Sequence, residues 1–495
     1  MSPYQWVGGQ SGDYFSTPNN WSPSGVPGSA DTAIIAASGS YVVTIDSSQS
    51  VHAVTLDSAN ATLSVLSGSA LDLTGSNAAL TVSAGSFDLA GDLNGGTVTA
   101  AGGVLEFETS ATLDGVTWQG TLTFRANEGL FVTGGLLLES AAGSSPGSID
   151  LSAGNDQLHV LDSETLNHAI LNFGALGGNY LFFNDLGGGT ATTLTLGSGF
   201  TIDQTGGNSE LYDANTLGTI GNAGLIAVSG GVLYGYQGNF ANSGTLSASG
   251  GGTIDLSATT LDNTGTITIG ANSEVVLGSS GDAAGITFNG TGATLMLDAP
   301  TGYTGTIDGM QAGDSIALPS LAYDAAGSAN LLAGNLLKIV KSSTTLTLHL
   351  DPLQNFSGDY FHLFQPASGG SAVIESTRPC YLAGTRIATD RGDARAGGRA
   401  AHSRAAGVAR RGARGAAGPG HRRRLSACRS RRRQSGSAGP YRRAAGAGLA
   451  GSVRRGAWSG RCRGRCRPHR AGGGMLSHAG GRLGRGGAAA AARRL

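Results

Sequence analysis

No cysteine precedes position 380 in this 495-residue chain; the four present are Cys380, Cys428, Cys462 and Cys466. A body of that length without a thiol has no disulfide framework and must be held together by its fold alone. Basic residues are almost missing from the same stretch. Only Arg125, Lys338, Lys341 and Arg378 precede Cys380, against 31 of the 33 acidic residues, so the body before Cys380 carries a formal −27 and the remainder +26. The near-zero overall charge hides two polymers of opposite sign. An acidic body with four cations has nothing to neutralise phosphates, which argues against nucleic-acid binding by that part. No apolar run reaches membrane-spanning length. The N-terminus, Met1-Ser-Pro-Tyr-Gln-Trp-Val-Gly-Gly, lacks the basic and apolar regions of an ordinary signal peptide.

What is abundant is glycine, 84 residues, and short alternating runs of β-branched and aliphatic residues separated by Gly, Asn, Ser and Asp. Tyr41-Val-Val-Thr-Ile-Asp, Ala53-Val-Thr-Leu-Asp and Ala70-Leu-Asp-Leu-Thr are examples. A period of two means strands, and no helical stripe interrupts it between 32 and 297. Asn222-Ala-Gly-Leu-Ile, Asn242-Ser-Gly-Thr-Leu and Asn263-Thr-Gly-Thr-Ile repeat one form at spacings of 20 and 21. A fixed period near 20 in a β-only sequence predicts one coil of a parallel β-solenoid per repeat. Ile, Val and Leu face inward; Asn and Gly are placed at corners needing positive φ, with stacked Asn side chains bonding in ladders. The fold class expected is all-β: a right-handed parallel β-solenoid, a small β-sandwich-like module, then a disordered basic tail.

The boundaries follow the changes of texture. Residues 1–35, with Trp6, Tyr14 and Trp21 among turn residues, form an N-terminal cap rather than a sugar-stacking site built on Trp6 and Trp21. They resemble the entry to the repeat regions of autotransporter-type bacterial adhesins. Residues 36–297 are the solenoid and 298–378 the sandwich-like spacer. Ile307-x-Gly-φ-x-x-Gly313-Asp314-x-Ile316-x-Leu318 resembles the module that often lies between a bacterial β-solenoid and a Hint (hedgehog/intein) domain. Residues 379–393 are the remnant of such a domain, and 394–495 the Arg/Ala/Gly-rich tail.

Pro379-Cys380-Tyr-Leu-Ala-Gly384-Thr385-Arg-Ile-Ala-Thr389 resembles the first block of Hint domains. The resemblance implies a nucleophilic Cys380 that attacks the Pro379 carbonyl to form a thioester, with Gly384 and Thr385 as its turn. It also implies a downstream Thr-x-x-His. None follows: the only threonines after Cys380 are Thr385 and Thr389, and strand periodicity stops after Asp393. Cys380 is therefore expected to be a vestigial nucleophile and the chain not to cleave itself. A shift of reading frame near codon 393 would explain the abrupt turn to Arg, Ala and Gly. The tail's charge and few aliphatics predict disorder. Cys462-x-x-x-Cys466-x-x-His469 has no fourth zinc ligand. Gly154-Asn-Asp156-Gln-Leu158 resembles half of a calcium-binding repeat but occurs once, so a corner turn is expected. No cofactor or metal is expected.

An acidic, Lys-poor, Cys-free body is typical of bacterial exported surface proteins. The expectation is a secreted or cell-surface, adhesin-like structural protein and not an enzyme, with extracellular polysaccharide or cell surface as partner. The alternative is a polysaccharide-active or carbohydrate-binding solenoid, which needs carboxylates converging in one groove; none is clustered in the sequence.

Overall fold

The computed structural model describes residues 2–378 except 9–12, 109, 184–191, 215, 279–284 and 343, together with 386–388 and 394–396. The described part is a parallel β-solenoid closed at both ends. Each coil contributes up to three short strands, one to each of three faces.

The first face is a ladder of thirteen strand segments among the described residues, from Gln49–Val51 to Ser315–Leu318, each parallel to the next. Twelve spacings of about 4.8 Å make it roughly 58 Å tall. The second face runs from Pro3–Trp6 to residues 136–139 and again from Glu164–Leu166 to residues 260–263. The third runs from Asp13–Tyr14 to Val104–Phe107 and again from Thr121–Thr123 to Thr306–Asp308.

Alternation builds the core. In Gln157–Val160, Leu158 and Val160 are fully buried while Gln157 and His159 face out. The coil step is 20 or 21 from Leu225 through Thr245 to Thr266. Elsewhere it ranges from 18, Ala79 to Thr97, to 31, Ala169 to Phe200, because the turns absorb insertions while the strands stay in register.

The Asn-x-Gly repeat forms the ladder expected of it, but not at positive-φ corners. Asn222 Nδ2 donates to Asn242 Oδ1 at 2.8 Å, and Asn242 Nδ2 to Asn263 Oδ1 at 2.7 Å. All three close second-face strands and are buried, so their backbone is extended. Their glycines are required by close approach instead: a Cβ on Gly244 would stand 2.2 Å from the Gly224 carbonyl oxygen, and one on Gly265 2.2 Å from that of Gly244. Positive φ belongs to other residues, such as Gly231, Asn127 and Asn155, and the last two also bond to each other, Asn155 Nδ2 to Asn127 Oδ1 at 3.1 Å.

The ends are sealed differently. At the N-terminus Trp6, Phe15, Trp21 and Tyr41 are buried together. Trp21 packs edge-on against Trp6 at 5.0 Å and donates its indole N–H to the Phe15 carbonyl at 2.7 Å. Neither tryptophan presents a face for a sugar to stack on. At the other end parallel pairing gives way to antiparallel. Ser371–Ser376 pairs with Ser315–Leu318 and with Tyr360–Phe364, while Ser328–Leu332, Leu336–Lys341 and Thr344–Leu350 form a meander on the third-face side. Leu337, Leu348, Phe361 and Val373 from these two layers join the core of the coils, a sandwich-like cap.

The Gly313-Asp314 signature lies in the last coil. Asp314 is fully buried and accepts from the backbone N–H groups of Gln311 at 2.8 Å and Ala293 at 3.0 Å, tying the turn to the coil before it. Burial pushes its carboxyl above the usual range. Beside it Glu375 is 3% exposed; burial, then Asp359 and Asp314, push its carboxyl up to about 7.

Candidate functional site

Cys380, Gly384 and Thr385 lie outside the described residues, as do the Arg-rich stretch from 397 onward and its Cys462, Cys466 and His469. The approach to Cys380 is described as far as Arg378. Its carbonyl oxygen accepts from His362 Nε2 at 2.9 Å, the tautomer that carries the proton there, and from the Ser376 hydroxyl at 3.2 Å. Beyond Cys380, Arg386–Ala388 pairs antiparallel with Ala394–Ala396, so strand pairing continues just past Asp393.

Chemistry-bearing side chains come together on two outer faces. On the first face, register stacks Phe131, His159, Phe182, Tyr212 and Tyr236 in five successive coils, all pointing outward. Centroid separations are 4.6, 4.5, 5.2 and 5.4 Å in that order. His159 lies nearly parallel to Phe182, at 5°, with Nε2 3.1 Å from Gln157 Oε1. Burial between rings pushes its imidazole down to about 4. A second outward column, two residues earlier on the strands of His159, Phe182, Tyr212 and Tyr236, reads Gln157, Tyr180, Glu210, Tyr234 and continues to Asp255 in the next coil. Burial and the neighbouring Glu210 raise the Tyr180 phenol above its ordinary value. Tyr236 ends the ring column, 42% exposed; its register partner in the next coil is Ala258.

The second constellation lies on the third face. Asp88 and Glu106 are register partners in adjacent coils, and Arg125 binds Glu106 from the next. The Arg125 backbone N–H donates to Glu128 Oε2 at 2.5 Å. Burial, then Glu108 and Glu106, push the Asp88 carboxyl up, while Arg125 pulls it down. Glu106 and Arg125 border an open groove of about 380 Å³ whose other lining includes Asn60, Thr62 and Ser86. Carboxylates that look scattered in sequence therefore converge around the solenoid's one arginine. Carboxylates grouped in this way are what acid–base chemistry on a sugar chain requires.

Other expected positions are structural. Asp156 is fully buried and accepts from the N–H groups of Ala153 and Gly154 at 2.9 and 3.1 Å, closing a corner turn. Among the described residues no three His, Cys, Asp or Glu side chains are placed to hold a metal ion, and no helix is long and apolar enough to cross a membrane.

Neither constellation was visible as a motif. Asp88, Glu106 and Arg125 follow one another at the local coil step, which is the only signal that joins them. The ring column has irregular intervals and no such signal. Compared with known proteins, the chain matches no family model, no curated protein and no solved structure.

Proposed function

We propose that this chain is an adhesin-like structural rod displayed outside the cell, followed at 379–393 by the first block of a self-processing Hint element that is inactive here. The observation that carries the reading is the closure of both ends of a thirteen-rung cylinder. The aromatic plug at one end and the antiparallel cap at the other prevent coil-on-coil polymerisation. They leave three long lateral faces as the surface such a rod offers. Ser371–Ser376 precedes Cys380 in the chain, and the Arg378 carbonyl that follows this strand is held by His362 and Ser376. Within this sequence no Thr-x-x-His follows to activate the Pro379–Cys380 bond.

Two measurements test this. Protease treatment of intact producing cells should release solenoid peptides; a chain found only after lysis refutes surface display. Purified full-length chain, incubated with and without thiol, should keep its mass. A fragment ending at Pro379, absent from Cys380→Ala, refutes inactivity.

A second reading rests on the Asp88–Glu106–Arg125 group: a polysaccharide-cleaving site in the third-face groove. It requires release of new reducing or unsaturated ends from a polysaccharide, abolished by Glu106→Gln. If neither appears across neutral and acidic polysaccharides, this reading falls and the rod stands.

A further inference from the structure

Between Arg125 and Lys338 the chain has no lysine or arginine, and that cation-free stretch carries the outward rings of the first face. We propose that this face is the rod's adhesive surface and takes a cationic polysaccharide, a chain of protonated amino sugars lying along the solenoid axis over Tyr212, Tyr234, Tyr236, Glu210 and Asp255. The proposal rests on the adhesin reading and gives it a ligand class.

Three observations converge. The two outward columns run from coil to coil, so a polymer lying along the axis meets a ring on each of five successive coils, about 19 Å in all. Within the second column phenols alternate with carboxylates, Tyr180, Glu210, Tyr234, Asp255. A glycan carrying an ammonium on each sugar finds an anion and a hydroxyl in turn, whereas an anionic glycan is repelled along its length. Finally, most ring faces are used up within the column, but Tyr236 has one face on Tyr212 and, among the described residues, no ring on the other. At 42% exposure it offers the negative face of its ring to an ammonium or to the apolar face of a sugar. Neutral glycans gain the ring contact but not the carboxylates.

The test uses the full-length chain and a soluble glucosamine oligomer, titrated calorimetrically, with the N-acetylated oligomer and polygalacturonate as controls. The Arg-rich remainder of the chain repels the cationic probe, so binding cannot come from it. The glucosamine oligomer should bind, more weakly as salt rises. Tyr236→Ala should weaken it about 5–10-fold, as loss of a cation–π contact implies, and Glu210→Gln with Asp255→Asn at least as much. Both variants are outward-facing, and circular dichroism should match the parent. The proposal is overturned if the variants bind like the parent, if the N-acetylated oligomer binds equally well, or if only a Lys/Arg-rich peptide binds and loses affinity in the same variants, which would assign a protein partner. Retention of the chain on cells or matrix separates this from its premise. Retention unchanged by the variants removes this face and spares the adhesin reading; no retention of the parent removes the reading itself.

Discussion

Replacing Asn242 by aspartate keeps the shape of the buried ladder and changes one atom from donor to acceptor. In the parent, Asn242 accepts from Asn222 at 2.8 Å and donates to Asn263 at 2.7 Å, and both Asn222 and Asn242 are 1% exposed. An aspartate still accepts from Asn222, but its second oxygen faces the Asn263 Oδ1 acceptor, so a hydrogen bond becomes a repulsion and a charge is buried unpaired. Losing the bond and leaving Asn263 Oδ1 unsatisfied costs about 2–3 kcal/mol. The unpaired charge brings the deficit at pH 7 to about 3–5 kcal/mol. Burial raises the folded-state pKa of this carboxyl above its unfolded value of about 3.9. The folded state then holds its proton longer. The variant's stability is fully present below pH 3.9 and lost as pH rises through the raised value. Protonated, the O–H donates to Asn263 and restores both bonds, so at pH 3.5 the deficit against the parent should shrink to about 1 kcal/mol or less. Asn242→Ala, with no charge and no donor, should lose about 2–4 kcal/mol at both pH values. Because coils open locally, the assay is hydrogen exchange of residues 239–266 by mass spectrometry, each variant against the parent at the same pH, with urea unfolding alongside. Equal losses for the two variants at both pH values would refute the donor–acceptor reasoning. Losses under about 0.5 kcal/mol, as for a surface site, would refute the burial of the ladder.

Three further outcomes are expected. His159, held down near 4 against an ordinary 6.5, is protonated in the unfolded chain first, so stability should fall as pH drops from about 6.5 to 4. The shift corresponds to about 3 kcal/mol, which solvent screening of the half-buried ring trims to about 1–2. His159→Phe should keep the ring column and flatten that part of the urea-midpoint profile. Glu375 has the opposite sign: raised to about 7 from 4.5, it favours the fold at low pH and loses that contribution as pH rises through 7. Glu375→Gln should gain about 1–2 kcal/mol at pH 8 and little at pH 4 by thermal melts. Gly244→Ala must push Cβ against the Gly224 backbone and should cost about 1–3 kcal/mol or more, read as faster exchange confined to residues near 222–266.

The solenoid was legible because its determinants are local. Inward and outward positions alternate along each strand, so Leu158 and Val160 announce the core without knowledge of their partners. The coil length was legible only around Asn222, Asn242 and Asn263, where tight turns hold the step at 20 or 21. Before residue 200 the same three faces are built with steps from 18 to 31, because a parallel ladder fixes the register of strands and leaves corner length free. The repeat's asparagines misled in one respect. Corners do use positive-φ asparagines, Asn127 and Asn155 among them, but a buried extended strand end tolerates the same residue when a stacked partner satisfies its amide. Sequence spacing does not separate the two environments.

The surface groups fail to show in sequence for the same reason, and the failure is instructive about solenoids. Phe131, His159, Phe182, Tyr212 and Tyr236 follow one another at unequal intervals along the chain. No periodic search joins them, yet each lies one rung from the next. Function on such a scaffold depends on register, and register depends on the lengths of all intervening turns. One inserted residue at a corner leaves the column intact; one inside a strand moves every later side chain on that strand to the opposite face. The ring column and the Asp88–Glu106–Arg125 group should therefore tolerate glycine insertions between strands, as after the exposed Ser144, and the ring column should be broken by a single insertion within Gln157–Val160. Binding of the glucosamine oligomer by the two insertion variants reads the difference. That contrast distinguishes a surface specified by stacking from one specified by local motif, the class to which the Cys380 block belongs.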